Sequence, residues 1–165
     1  MELKEYQEKA FTTAIYPKDH LKNITYPVLG LCDEIAEVDE KFMHDADDEE
    51  LLKEIGDVCW YIAAIASELD LNLENLDKDL LCRDTMSIYA GKIAGKTKKL
   101  IRDKEGIITN KYKDFVEENL INILCLVKSL IIQYDSTLSQ VLQDNVDKLF
   151  SRKERGVLKG NGDNR

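Results

Sequence analysis

The sequence predicts an all-α protein: a helical bundle of the four-helix type, built from two stacked helical repeats. Three observations predict it. Helix breakers are scarce, with two prolines and eight glycines in 165 residues. Leu, Lys, Glu, Asp and Ile dominate, and 44% hydrophobic with 33% charged residues is the balance of a folded chain rather than a disordered one. Apolar residues recur at three- and four-residue spacing through most of the length.

The elements follow in order. Leu3, Tyr6, Ala10, Phe11 and Ala14 share one helical face, so residues 2–16 are expected to form the first helix. Pro17 ends it, and the stretch to Pro27 reads as a loop. A second helix is expected over 28–43. The acidic run 45–50 is a solvated connection that places negative charge at the next helix's N-terminus, where the dipole favours it. The third helix, 49–69, is apolar nearly all round, because Cys59, Trp60 and Tyr61 lie off its main stripe. Such a helix is buried on several sides. Residues 72–101 read as one long or broken helix ending in a turn at 103–106, and 112–134 and 137–150 as two more helices.

Length fits a single domain with a real core. Within it, residues 1–76 form one repeat, 77–150 a worn second copy, and 151–165 a basic tail. The second copy rests on an internal echo. Residues 88–99 align with 30–41, which sets Glu34 on Lys92 and Glu37 on Gly95. Aligning Leu138 with Leu73 sets Glu54 on Asn119 and Asp57 on Asn122. The frame persists and the acids are lost. A fused chain of this kind completes internally much of a bundle that a single-copy chain would complete by pairing. A homodimer or higher homo-oligomer is expected.

A net charge of −9 argues against general nucleic-acid or membrane binding. No apolar run approaches the roughly 20 residues of a membrane span, and no signal peptide is read at the start. Cys32, Cys59, Cys82 and Cys125 form no Cys-x-x-Cys pair and read as reduced, mostly core residues of a cytoplasmic protein. His20 and His44 have no partner pattern and read as surface residues.

The chemistry concentrates in residues 28–62. Two pairs of acids, Glu34 with Glu37 and Glu54 with Asp57, each sit three apart inside an apolar run. On a helical wheel, Ile35, Val38 and Phe42 lie within about 40° of Leu31, with Glu34 and Glu37 about 60–120° to one flank. Leu51, Ile55, Val58 and Ile62 repeat that stripe, and Glu54 and Asp57 repeat the flank. Facing flanks on antiparallel helices would bring four carboxylates together. Their mutual repulsion raises their pKa values unless a divalent cation compensates it. Oxygen ligands of this kind suit Mg²⁺ or Mn²⁺.

These residues resemble the MazG-type all-α nucleoside triphosphate pyrophosphohydrolases. The likeness is carried by Glu34-x-x-Glu37, a gap, then Glu54-x-x-Asp57, with Gly30-Leu31, Gly56 and Trp60-Tyr61 around them. It continues in the tail words Asn145-Val146-Asp147-Lys148-Leu149, Ser151-Arg152-Lys153-Glu154-Arg155-Gly156-Val157 and Lys159-Gly160-Asn161-Gly162-Asp163. It covers 28–76 and 141–165. The resemblance implies Mg²⁺-dependent hydrolysis of a nucleoside triphosphate to the monophosphate and diphosphate. Glu34, Glu37, Glu54 and Asp57 would hold the metal, with Glu34 or Glu37 as an alternative general base. Lys53, Lys148, Arg152 and Arg155 would contact phosphate, Asn145 the nucleotide, and Trp60 the base.

Residues 148–165 hold six basic residues and two acids, as a phosphate clamp would, and Gly156, Gly160 and Gly162 would let backbone approach a ligand. Two other readings stand beside the general hydrolase: a dedicated dUTP or dCTP hydrolase, and a helical nucleotide-binding or interaction protein without turnover.

Overall fold

The structure, a computed structural model, describes residues 1–18 and 22–159, with Lys22 by its backbone alone. His20 and the tail positions Gly160, Asn161, Gly162 and Asp163 lie outside the described residues. Among the described residues there are six α-helices: α1 (Leu3–Phe11), α2 (Lys22–Met43), α3 (Asp48–Glu68), α4 (Met86–Lys104), α5 (Asn110–Gln133) and α6 (Leu138–Glu154). One 3₁₀ turn, Leu73–Leu76, follows α3, and no strand occurs among the described residues.

Three boundaries differ from the sequence reading, each for a local reason. α1 ends at Phe11 rather than at residue 16. Thr12 and Thr13 turn their hydroxyls onto the carbonyls of Lys9 and Ala10, at 2.8 and 2.7 Å, and so compete with a further helical turn. α2 starts before Pro27 rather than after it. The proline falls early in the helix and removes one ladder bond there instead of interrupting a long helix. This early turn is tied down by Glu68 on α3, which accepts hydrogen bonds from Tyr16 (2.7 Å) and Asn23 (3.2 Å) and pairs with Lys18. Finally, residues 72–101 are not one helix. After the 3₁₀ turn the chain is irregular, and α4 restarts at Met86 behind the N-cap Thr85. Lys128 on α5 holds the irregular segment by pairing with Asp77 and Asp79, at 2.5 and 2.7 Å.

Helix ends share one device. Asp45, Asp70 and Asp135 adopt left-handed backbone just after α2, α3 and α5. Asp tolerates this conformation better than most residues. The following N–H then reaches back to the helix: Ala46 to Lys41, Leu71 to Ala66 and Ser136 to Ile131. After the first of these turns, Asp47 caps α3 by accepting the Glu50 N–H at 2.8 Å.

α3 is the central element. It packs against α1, α2, α5 and α6, while α4 joins α2 to α5. Ile55, Ile62, Ala63, Ile65 and Ala66 on α3 have no exposed surface, so the expectation of burial on several sides holds. All six helices contribute to one contiguous hydrophobic core. Each fully buried Leu or Ile in it contributes about 2 kcal/mol of transfer free energy. The α2 stripe of Leu31, Ile35 and Val38 lies in this core, but Phe42 does not and is 61% exposed. Phe42 occupies the last turn of α2.

Two glycines let helices approach closely. A Cβ on Gly30 would stand 2.1 Å from the Tyr61 ring, so α2 meets α3 here only because Gly30 has no side chain. A Cβ on Gly56 would stand 3.2 Å from that of Asn145, which sets the approach of α6 to α3.

Candidate metal and nucleotide site

The α2–α3 contact brings together Glu34, Glu54 and Asp57, with one carboxylate oxygen of each lying within 4.8 Å of the others. Glu54 is 4% exposed, and Glu34 and Asp57 are partly buried. Burial first, then the charges of Asp57, Glu37 and Glu54, push the Glu34 carboxyl up to about 8; Lys148 opposes that shift. Glu37 departs from the four-carboxylate expectation. It is exposed and lies outside the converging set, although its charge still reaches Glu34.

The donor set fits a hard divalent cation. Oxygens on opposite sides of a Mg²⁺ shell stand about 4.2 Å apart, at twice the roughly 2.1 Å metal–oxygen distance. The three oxygens lie within 4.8 Å of one another, so small side-chain rotations would bring them into one such shell. Mg²⁺ usually keeps several waters, so three carboxylates are a sufficient protein contribution.

α6 supplies the second layer. Asn145 donates to Asp57 Oδ1 at 2.8 Å, and the Lys148 ammonium pairs with Asp57 Oδ2 at 2.6 Å. Tyr6 of α1, with no exposed surface, donates to Asn145 Oδ1 at 2.8 Å. That bond fixes the amide so that its N–H faces Asp57. Burial, followed by nearby Cys59 and Asp57, raises the Tyr6 hydroxyl far above its ordinary pKa, so it remains a donor. Lys41 of α2 reaches Glu54 at 3.8 Å and Glu50 at 2.9 Å.

A cavity of about 150 Å³ opens beside Glu34 and Asp57. Tyr16, Tyr26, Trp60 and Tyr61 form one wall, and Arg152 and Leu158 contribute from the C-terminal end. Tyr16 and Tyr26 stack at 4.8 Å, while Trp60 meets Tyr61 edge-on at 4.8 Å. Trp60 serves packing as well as the wall: its indole N–H donates to Thr13 Oγ1 at 2.9 Å and to the Ala10 carbonyl at 3.2 Å. Arg152 is 4% exposed, an unusual degree of burial for a guanidinium and one that calls for partners.

The other expected phosphate contacts fall elsewhere. Lys53 is exposed, pairs with Glu49 at 2.7 Å and lines a separate cavity of about 410 Å³ between α3 and α6. Arg155 is exposed and donates to Ser151 at 3.3 Å. Gly156 ends α6. Its φ is 70°, and the Val157 N–H reaches the Arg152 carbonyl at 2.9 Å.

Tyr6, Tyr16, Tyr26, Tyr61 and Lys41 were not selected from the sequence. Tyr61 adjoins Trp60 and carried a signal. Tyr6 sits in the apolar stripe of α1 and carried none. Cys59 is buried with its thiol pushed up to about 12, as an unreactive core residue. Cys32 and Cys82 are partly exposed and Cys125 is buried, all as free thiols. His44 is exposed, as expected. Among the described residues no helix is long and apolar enough to cross a membrane.

In class, then, this is an all-α bundle with three acids converging from two adjacent helices beside an aromatic-walled cavity. The chain is 49% identical over 76 residues to the Gene 37 protein of Mycobacterium phage L5, covering 46% of this chain and 67% of the phage protein. It belongs to the family of that protein. No family model matches the chain, and no solved structure matches it.

Proposed function

We propose that the protein is a nucleoside triphosphate pyrophosphohydrolase that uses Mg²⁺, or Mn²⁺ in its place, and releases the nucleoside monophosphate and diphosphate. One observation carries the reading: Glu34, Glu54 and Asp57 converge, and Glu34 and Asp57 line a cavity that also holds a buried arginine and an aromatic wall. Carboxylates alone would repel a triphosphate, and an arginine alone would not activate water. Their combination suits phosphoanhydride hydrolysis.

In this reading Glu34, Glu54 and Asp57 hold the cation, which when bound neutralises phosphate oxygens and lowers the pKa of an attacking water. Glu37, exposed and outside the converging set, is the acid best placed to take the water's proton without giving up a metal position. Arg152 offers its planar fork to phosphate oxygens, and Tyr26, Trp60 and Tyr61 offer faces to a base. Lys148 and Asn145 reach the same region from α6. The second hairpin, α4–α5, would be structural: Lys92 pairs with Asp84 there, and Asn119 and Asn122 each donate to their own helix backbone. The proposed setting is the cytoplasm, where triphosphates are made and used. Association of copies would cover exposed α2 residues such as Leu29, which is 64% exposed.

The test is diphosphate release from a panel of ribo- and deoxyribonucleoside triphosphates, with Mg²⁺ or with chelator, beside Glu54→Gln. Metal-dependent release that is absent from Glu54→Gln supports the reading, and a preference for dUTP or dCTP would narrow it to a dedicated hydrolase. Absence of release from every substrate by folded protein contradicts it. A nucleotide-binding protein without turnover is then the second reading, favoured by the Lys148–Asp57 pair that already neutralises part of the cluster.

A further inference from the structure

Asp57 is held on both oxygens. Asn145 occupies Oδ1 and is itself fixed by Tyr6 from below, so that bond belongs to a buried chain running from α1 through α6 to α3. Lys148 occupies Oδ2 at 2.6 Å, and both members of this pair are largely buried, with 17% and 18% of their side-chain surface exposed. The ammonium therefore stands where a divalent cation bound to Asp57 would place its own charge. Two cations cannot share one carboxylate oxygen in a partly desolvated site without strong repulsion.

Lys148 also has somewhere to go. It lines the cavity of about 410 Å³ between α3 and α6, together with Leu52, Gly56, Val141 and Asn145. Asp57, its partner, lines the smaller aromatic cavity. The pair thus stands between the two spaces. A cavity of about 150 Å³ is below the roughly 300–1,000 Å³ of ordinary ligand pockets. Release of the lysine from Asp57 would join the smaller space to the larger.

We propose that Lys148 is an internal counter-cation that must leave Asp57 before a divalent metal ion binds there, and that this exchange couples metal binding to nucleotide binding. The inference rests on the proposed metal site and adds its regulation. While Lys148 stays on Asp57, part of the cluster's charge is neutralised and the site is closed. A metal ion displaces it, and the freed ammonium, held near the site by the α6 backbone, becomes available to a phosphate. Metal and triphosphate therefore each favour the same displaced state, and each strengthens the binding of the other.

The experiment is Mn²⁺ titration without nucleotide, followed by isothermal calorimetry and by electron paramagnetic resonance of free Mn²⁺, on wild-type protein and Lys148→Met, with circular dichroism to confirm folding. Removal of the competing ammonium should tighten Mn²⁺ binding about tenfold, within the range of ordinary coupling between sites. Equal or weaker affinity in folded Lys148→Met overturns the counter-cation role and leaves the metal site standing. Absence of Mn²⁺ binding to either protein removes the metal site and this inference with it. Wild-type crystals soaked in Mn²⁺ provide a check that needs no variant. Anomalous density at Asp57 with Lys148 turned into the α3–α6 cavity supports the exchange. The same density with Lys148 still on Asp57 Oδ2 refutes it.

Discussion

Gly30→Ala probes the contact on which the site depends. The added Cβ would stand 2.1, 2.2 and 2.7 Å from Cε1, Cζ and Oη of Tyr61. Ordinary contact begins near 3.4 Å, so the pair must separate by about 1.3 Å. The colliding atoms are the far end of a side chain, so the ring can give way before the helices do. It is not free to swing, however, because Trp60 abuts it edge-on at 4.8 Å and Tyr26 lies at 6.3 Å. Overpacking of this kind costs about 1–3 kcal/mol, and a partly mobile ring places the cost near 1. For a chain of this size that lowers Tm by about 2–4 °C. The ring also lines the aromatic cavity, so its displacement should raise KM for a triphosphate more than it lowers stability. Thermal melts and steady-state kinetics of Gly30→Ala, Tyr61→Leu and the double variant form a cycle that isolates the collision. With Leu at 61, Gly30→Ala should be nearly neutral. An equal loss in both backgrounds would refute the steric argument, and no loss in either would show that the close approach is not needed.

Three other predictions follow from the same geometry. Glu34 has a folded-state pKa of about 8, above its ordinary 4.5, so its stabilising contribution is fully present below about pH 4.5 and is lost as pH rises through about 8. Without metal, the Tm should therefore fall between about pH 4.5 and 8. Glu34→Gln should flatten the fall, and saturating Mg²⁺ should reverse it, as thermal melts across that range would report. Glu37→Gln should leave Mn²⁺ affinity within a few-fold of wild type while lowering kcat, whereas Glu54→Gln should weaken Mn²⁺ binding more than tenfold; calorimetry separates them. Tyr6→Phe removes the donor to a buried Asn145 carbonyl and should cost about 1–3 kcal/mol in denaturant unfolding.

The sequence carried much of this arrangement, but unevenly. Every helix left an apolar stripe, so α3 could be recognised as central from Cys59, Trp60 and Tyr61 lying off its main face. The ends were less legible. Thr12 and Thr13 end α1 through hydroxyl bonds that have no periodic signature, and Pro27 looked like a barrier although an early turn tolerates it. Three of the four acids converge as their wheel positions suggest. The fourth, Glu37, does not, because a wheel treats a flank as one straight line. Packed helices cross at an angle, so side chains a turn apart on one flank need not reach the same point. The Tyr6–Asn145–Asp57 chain was invisible from sequence for a simpler reason. Its first bond joins residues 139 positions apart, and its second joins residues 88 apart. Only the packing of α1 and α6 on α3 brings them into contact.

The central claim is that Glu34, Glu54 and Asp57 form a metal site serving hydrolysis of a triphosphate to a monophosphate and diphosphate. Product analysis by phosphorus NMR, with a nucleoside triphosphate and Mg²⁺, tests it most directly when wild type is run beside Glu54→Gln. The account predicts equal amounts of monophosphate and diphosphate from wild type, and neither from the variant or in chelator. Orthophosphate with nucleoside diphosphate, or equal turnover by Glu54→Gln, would contradict it.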